Sequence, residues 1–156
     1  MESLGNVKPD FWFYLADAQT KQKDFAQAEV AYEKYLQVAT DPAAKAKTLL
    51  ALGAAKISAH KPDEAQKIAE EIMSLQPEGR VNAEARLLAG DVQVERQNFE
   101  EAGKAFMGVA LLYDDPAITP RALQKAALAY EKAGKKEEAD RVAKQLREKY
   151  PDFAGG

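Results

Sequence analysis

PAAKAKTLLALGAAKISAHKPDEAQKIAEEIMSLQP, residues 42–77, reads as two helices joined by a corner. Asp41 supplies an N-cap and Pro42 a first-turn proline. Leu49, Leu52, Gly53, Lys56 and Ile57 then keep a helical rhythm, which His60-Lys61-Pro62 breaks. Beyond the break, Ala65, Ile68, Ala69, Ile72 and Met73 form a stripe at i, i+3, i+4, i+7 and i+8, the signature of an amphipathic helix. Gln76-Pro77 ends it.

The same pattern recurs on either side. Ala28, Ala65, Ala102 and Ala139 stand 37 residues apart, and 12 residues before each stands Ala16, Gly53, Gly90 or Ala127. Leu15, Leu52, Ala89 and Ala126 precede those small residues, and Pro42, Pro77, Pro116 and Pro151 close the units. Self-similarity at a fixed period is the mark of a repeat architecture. The reading is a single domain over 9–151, with repeats at about 9–42, 46–79, 83–116 and 120–153, and residues 1–8 as an N-terminal lead. In the fourth unit Thr119 is the expected N-cap, Pro120 takes the first turn, and Gly134 closes the first helix. The small residues have a role: two antiparallel helices approach closely only where both carry small side chains. Gly53 is therefore expected opposite Ala65, and Gly90 opposite Ala102.

Composition agrees. The chain has 156 residues, with 30 alanines against 16 Val, Ile and Thr together, which favours helix over strand. Charged residues make up 30% and hydrophobic ones 46%, an ordinary globular balance. A net charge of -3 argues against a general nucleic-acid binder. With no cysteine there is no disulfide, thiolate metal site or cysteine nucleophile, and the compartment stays open between cytoplasm and periplasm or envelope. No run of 18 apolar residues and no targeting signal is seen, so no membrane insertion is expected.

The units resemble the tetratricopeptide repeat, whose pattern runs W-x2-L-G-x2-Y, A-x3-F, P. The first has Trp12-x2-Leu15-Ala16 and Ala28-x3-Tyr32; the second, Leu49-x2-Leu52-Gly53, Ala65-x3-Ala69 and Pro77. The third has Ala89-Gly90 and Ala102-x3-Phe106; the fourth, Ala126-Ala127-x2-Tyr130, Ala139-x3-Ala143 and Pro151. The resemblance implies an all-α fold, a right-handed superhelix (α-solenoid) of four antiparallel helix pairs. It also implies a non-enzymatic scaffold that binds a protein or peptide in its concave groove. Two departures stand out. The period is 37 rather than 34, which puts three extra residues in the inter-repeat turn or a lengthened helix. Tyr35, Ile72, Val109 and Leu146 also replace the family's usual alanine. Long units ending in Tyr150-Pro151 are loosely similar to bacterial envelope proteins of the Tol–Pal accessory and outer-membrane assembly lipoprotein type. An alternative function follows: a structural segment of an envelope or secretion assembly, contacting its neighbours through its ends.

Catalytic chemistry finds no support. His60 reads as a solvated histidine at a helix end, with no second histidine to complete a set. The acidic pairs Glu70-Glu71, Glu100-Glu101, Asp114-Asp115 and Glu137-Glu138 lack calcium-loop spacing and read as solvated faces. No metal, cofactor or phosphate-binding loop is expected.

The family's ligand-facing positions carry over as Phe13, Tyr14 and Asp17 in unit one and Leu50, Ala54 and Ile57 in unit two. Unit three contributes Glu84, Leu87, Asp91 and Val94; unit four contributes Arg121, Lys125 and Leu128. The resulting groove has an apolar centre, an acidic rim and a basic end, suited to an amphipathic peptide with a basic residue and a carboxylate toward unit four. The carboxylate clamp of chaperone-binding members is not matched, because only Arg121 and Lys125 could serve it.

The two ends are unequal. Lys135 to Lys149 holds ten charged residues of fifteen, the polar outer face of a capping unit. Phe11 to Leu15 is apolar without a break. Phe11 and Ala18, helped by Leu4 and Val7, are expected to face a docked unit, either upstream repeats or the same face of a second chain in a homodimer. The alternative there is that residues 1–9 fold back as a lid.

Overall fold

The computed structural model describes residues 7–75 and 77–153. Met1 to Asn6 lie outside that range, and with them Leu4 and most of the suggested lid. Eight helices follow in order: α1 (Pro9–Lys21), α2 (Phe25–Val38), α3 (Pro42–Ser58), α4 (Pro62–Ser74), α5 (Gly79–Glu95), α6 (Phe99–Leu112), α7 (Thr119–Lys132) and α8 (Lys136–Lys149). No strand occurs among the described residues. Each helix packs on the next, and α3 also touches α1 and α5, so the pairs stack in sequence.

The longer period is absorbed by the first helices of units two and three. α3 and α5 each have 17 residues, against 13 in α1 and 14 in α7. Prolines stand at the first turns of α1, α3, α4 and α7, where a missing N–H costs nothing. The Asp41 carboxylate caps α3, accepting from the Ala44 N–H at 2.9 Å as expected.

The start of α7 differs from the expectation. Its N-cap is Ile118, with Thr119 already helical. The Asp115 carboxylate accepts from the Ala117 and Ile118 N–H groups at 2.8 and 3.2 Å, while the Thr119 hydroxyl donates to the Tyr113 carbonyl. The preceding loop has captured the threonine, and an aspartate four residues upstream satisfies the free amides.

The corner inside each unit repeats with the same period. Lys23, His60, Gln97 and Gly134, each 37 residues from the next, adopt positive φ of 62°, 58°, 62° and 75°. The residue after each donates its N–H to a carbonyl five residues back: Asp24 to Gln19, Lys61 to Lys56, Asn98 to Gln93 and Lys135 to Tyr130, all at 2.9 Å. These four corners are Schellman motifs, and only the last uses the glycine that suits the left-handed position.

The core is continuous along the stack. One cluster gathers Tyr32, Leu49, Leu52, Ile68, Ile72 and Leu88; the other gathers Leu87, Phe106, Val109, Leu123 and Val142. α5 serves both, through Ala85 and Leu88 on one side and Ala83 and Leu87 on the other. Ala65 and Ala102 are fully buried. The glycines, however, do not simply face them. A Cβ at Gly53 would run into Leu88 of the next unit, and one at Gly90 would lie 2.7 and 2.9 Å from atoms of the Phe106 ring. Each glycine is small so that a large side chain can lie over it.

Candidate partner-binding groove

The first helices of the units form one side of the stack, and most of the candidate residues lie along it. Two hollows open there. Between α1 and α3, Phe13, Tyr14, Tyr35, Lys47 and Asp10 line a small one of about 190 Å³. The Lys47 ammonium sits 5.1 Å from the centre of the Phe13 ring, a cation–π contact across the unit boundary. Between α5 and α7, Asp91, Val94, Phe106, Lys125, Leu128 and Lys132 line a larger hollow of about 400 Å³. Phe106 and Val94 form its apolar floor; Asp91, Lys125 and Lys132 form its charged rim.

Four charges on this side pair across the boundary of units three and four. Arg121 grips Glu84 through two nitrogens at 2.7 and 3.3 Å. The Lys125 ammonium donates to Asp91 at 2.7 Å and lies 5.5 Å from the centre of the Phe106 ring. Burial pushes the Asp91 carboxyl above its ordinary range, and Lys125 only partly offsets that. The acidic rim and the basic end thus meet each other, rather than standing as separate patches. Asp17 likewise holds Lys21 at 2.7 Å.

The remaining candidates divide. Leu50 and Ile57 are half-buried against the first core cluster, and Ala54 is exposed. Tyr14 and Leu128 are open, at 69% and 53% exposure. Leu87 is a correction: at 2% exposure it belongs to the second core cluster. Its helical spacing from Val94 suggested a shared face, but α5 is covered on two sides, and Leu87 falls on one of them.

His60 occupies a left-handed corner with its side chain 82% exposed, its Nδ1 2.9 Å from a Glu95 oxygen. No group of three or more potential metal-ligating side chains occurs among the described residues. No helix among them is long and apolar enough to cross a membrane.

Two features escaped the sequence reading. One is a charged cluster at the boundary of units one and two. Glu29, on α2, accepts from Lys56 at 2.8 Å and from Lys61 at 3.0 and 3.1 Å, and Lys56 also donates to Glu64. The Glu29 and Lys56 side chains are only 12% and 8% exposed. Burial alone would raise the Glu29 carboxyl, but its two lysines outweigh burial and hold it below the usual range. Burial would likewise depress Lys56, and its two carboxylates hold it above. Charges spread along a helix give no sign of which one the next unit covers.

The other is the far end. The α7/α8 face is not the polar cap that its composition suggested. An open groove of about 560 Å³ lies there, with Ala127, Leu128, Ala143 and Leu146 among its lining and Lys136, Asp140 and Arg147 around it. The charged residues of α8 ring the groove instead of covering it. At the other end, Phe11 is 49% exposed and Ala18 is also exposed.

A tetratricopeptide repeat family profile matches residues 10–39 and 121–152, the first and last units. No curated protein matches the chain. With eight helices in four stacked pairs, the fold is an all-α solenoid of the tetratricopeptide type. Repeats of that type generally mediate protein–protein interaction and are typically non-enzymatic. The likeness to envelope lipoproteins gains no support from these comparisons.

Proposed function

We propose that the chain is an interaction scaffold that holds a peptide or partner segment against the first-helix side, anchored in the hollow between α5 and α7. The observation that carries this reading is the hollow itself: half-buried Val94 and exposed Leu128 beside the buried Phe106 ring, inside a rim where Asp91 pairs with Lys125 and the Lys132 ammonium lies over the Phe99 ring. A site so arranged favours an apolar anchor residue over a charged one, because partner charges would have to displace the Asp91–Lys125 and Glu84–Arg121 pairs. Arg121 and Lys125 therefore act less as a free carboxylate clamp than as walls of the site. Phe13, Tyr14 and Asp17 on α1, with Leu50, Ala54 and Ile57 on α3, extend the surface toward unit one.

Selection of a random peptide library on the immobilised chain tests this. Wild type should enrich peptides with a recurrent bulky apolar residue, and Val94→Asp should lose them while keeping its helical circular dichroism. Enrichment that survives Val94→Asp and Leu128→Asp would show that the hollow is not the site.

A second reading, contact through the ends, is favoured by the exposed Phe11 face and the open α7/α8 groove. Upstream repeats, a second chain and an envelope assembly would all use those surfaces.

A further inference from the structure

The 37-residue register makes the two ends comparable with the inner boundaries. At each inner boundary, a first helix lies in a groove of the unit before it. The contacts of those helices show where a fifth one would place its side chains on the α7/α8 groove. α1 has the same register as α3, α5 and α7, so its own residues can be set there.

Three contacts converge on Tyr14. Leu88 fills the space over Gly53; Lys125 pairs with Asp91; Lys125 also lies over Phe106. Shifted to the last unit, Gly53, Asp91 and Phe106 become Ala127, Leu128 and Ala143, and the incoming position becomes that of Tyr14. All three acceptor residues line the 560 Å³ groove, and Tyr14 is the most exposed aromatic described, at 69%. A fourth contact adds charge complementarity. Glu84–Arg121 shifts to Arg121–Asp10, an opposite-charge pair. Phe11 and Ala18 also share register with positions that the inner units bury completely or nearly so: Thr48, Ala85 and Ala122 for the first, Ala55, Val92 and Ala129 for the second.

Side-chain sizes alternate across the inner boundaries. Unit one presents Tyr32 beside Ala16 and receives the small Ala51. Unit two presents Ala69 beside Gly53 and receives Leu88. Unit three presents Phe106 and receives the thin stem of Lys125. Unit four presents two alanines, Ala127 and Ala143, and is shaped for something large.

We propose that the α7/α8 groove docks α1 of a second copy of this chain, so that the molecules associate head to tail. The two surfaces are unlike, a protruding aromatic stripe and a hollow, so the contact is heterologous and extends beyond a dimer unless it closes into a ring. This differs from a two-fold pairing of the α1 faces. The register also brings Asp24 beside Asp140, a like-charge contact that corresponds to Lys61–Glu29 at the first boundary. That repulsion keeps the association weak.

Sedimentation of the full chain over a rising concentration series tests the proposal. The average mass should climb from the 17.1 kDa of one chain past that of two. Tyr14→Glu should abolish the rise by removing the knob. Ala143→Tyr should abolish it by filling the hollow; it reproduces the Ala16/Tyr32 combination that unit one already accommodates, so the fold should stand. Asp140→Lys should shift association to lower concentration by several-fold, a gain that adding Tyr14→Glu to the same chain should cancel. The decisive step is mixing. Tyr14→Glu keeps an intact groove and Ala143→Tyr an intact α1, so two variants that are monomeric alone should form a dimer that grows no further. A wild type that stays monomeric throughout would overturn the proposal, as would a dimer lost in Tyr14→Glu, kept in Ala143→Tyr and not restored by mixing.

Discussion

Three residues out of four at the corner positions are held in a backbone conformation that costs an L-residue about 1–2 kcal/mol. Gln97, at φ 62°, is the cleanest of them to test, since it caps the corner before α6 with no ion pair of its own. Glycine there relieves the strain but loosens the unfolded chain, so Gln97→Gly should stabilise by roughly 0.5–1 kcal/mol in urea unfolding. Gly134→Ala at the equivalent corner should destabilise by about 1 kcal/mol. An opposite sign at either position would mean that the corners are not held as described. The buried Glu29–Lys56 pair makes a second residue-level claim. Lys56→Ala should cost about 2–4 kcal/mol, somewhat eased because Lys61 remains beside Glu29. Glu29 titrates below the ordinary 4.5 in the folded chain, so its contribution is full above that value and is lost as pH falls through the lower folded value. Lys56 titrates above the ordinary 10.5, so its contribution is full below that value and is lost only as pH rises beyond it. Acid unfolding of Glu29→Gln should therefore begin from a lower neutral-pH stability and show a shallower fall than wild type.

At the scale of helices, the packing of each unit depends on what lies over its glycine. Gly90→Ala drives a methyl into the Phe106 ring, which has little room to turn, and should cost about 2–3 kcal/mol. Gly53→Ala meets chiefly the flexible end of Leu88 and should cost about 1 kcal/mol, a cost that disappears when it is introduced into a Leu88→Ala background. Equal costs in thermal melts would contradict the asymmetry. The helices themselves were legible because periodicity, prolines and the Asp41 cap act locally, within one turn of chain. What lies between units was not. The spacing of Gly53 and Ala65 signals that something close passes there, but the sequence cannot say that it is Leu88, from 35 residues away. Thr119 looked like a cap because its competitor, Asp115, reaches the same amides from a loop whose path only the fold defines. Leu87 shares a helix with Val94 yet is buried, since α5 is covered on two sides. The ten charges of Lys135 to Lys149 suggested a sealed end, but charge count does not reveal that half-buried Ala127 and Ala143 line an open groove between α7 and α8.

At the scale of the molecule, stability in a stacked array is a sum of unit and boundary terms, so changes at inner boundaries should matter more than equal changes at the ends. The same arrangement separates two kinds of surface. Along the first helices, charge pairs tie one unit to the next and leave an apolar hollow between α5 and α7. At the two ends of the described stack, Phe11 and Tyr14 are exposed on α1 and an open groove lies between α7 and α8. Partner recognition is proposed to belong to the first of these surfaces. Amide chemical-shift mapping tests it most directly, with the isotopically labelled chain titrated with a peptide selected on it. The largest shifts should fall on Asp91 to Glu95 of α5 and Lys125 to Lys132 of α7. Shifts confined to Ala139 to Arg147 on α8, or to α2, α4 and α6, would contradict it.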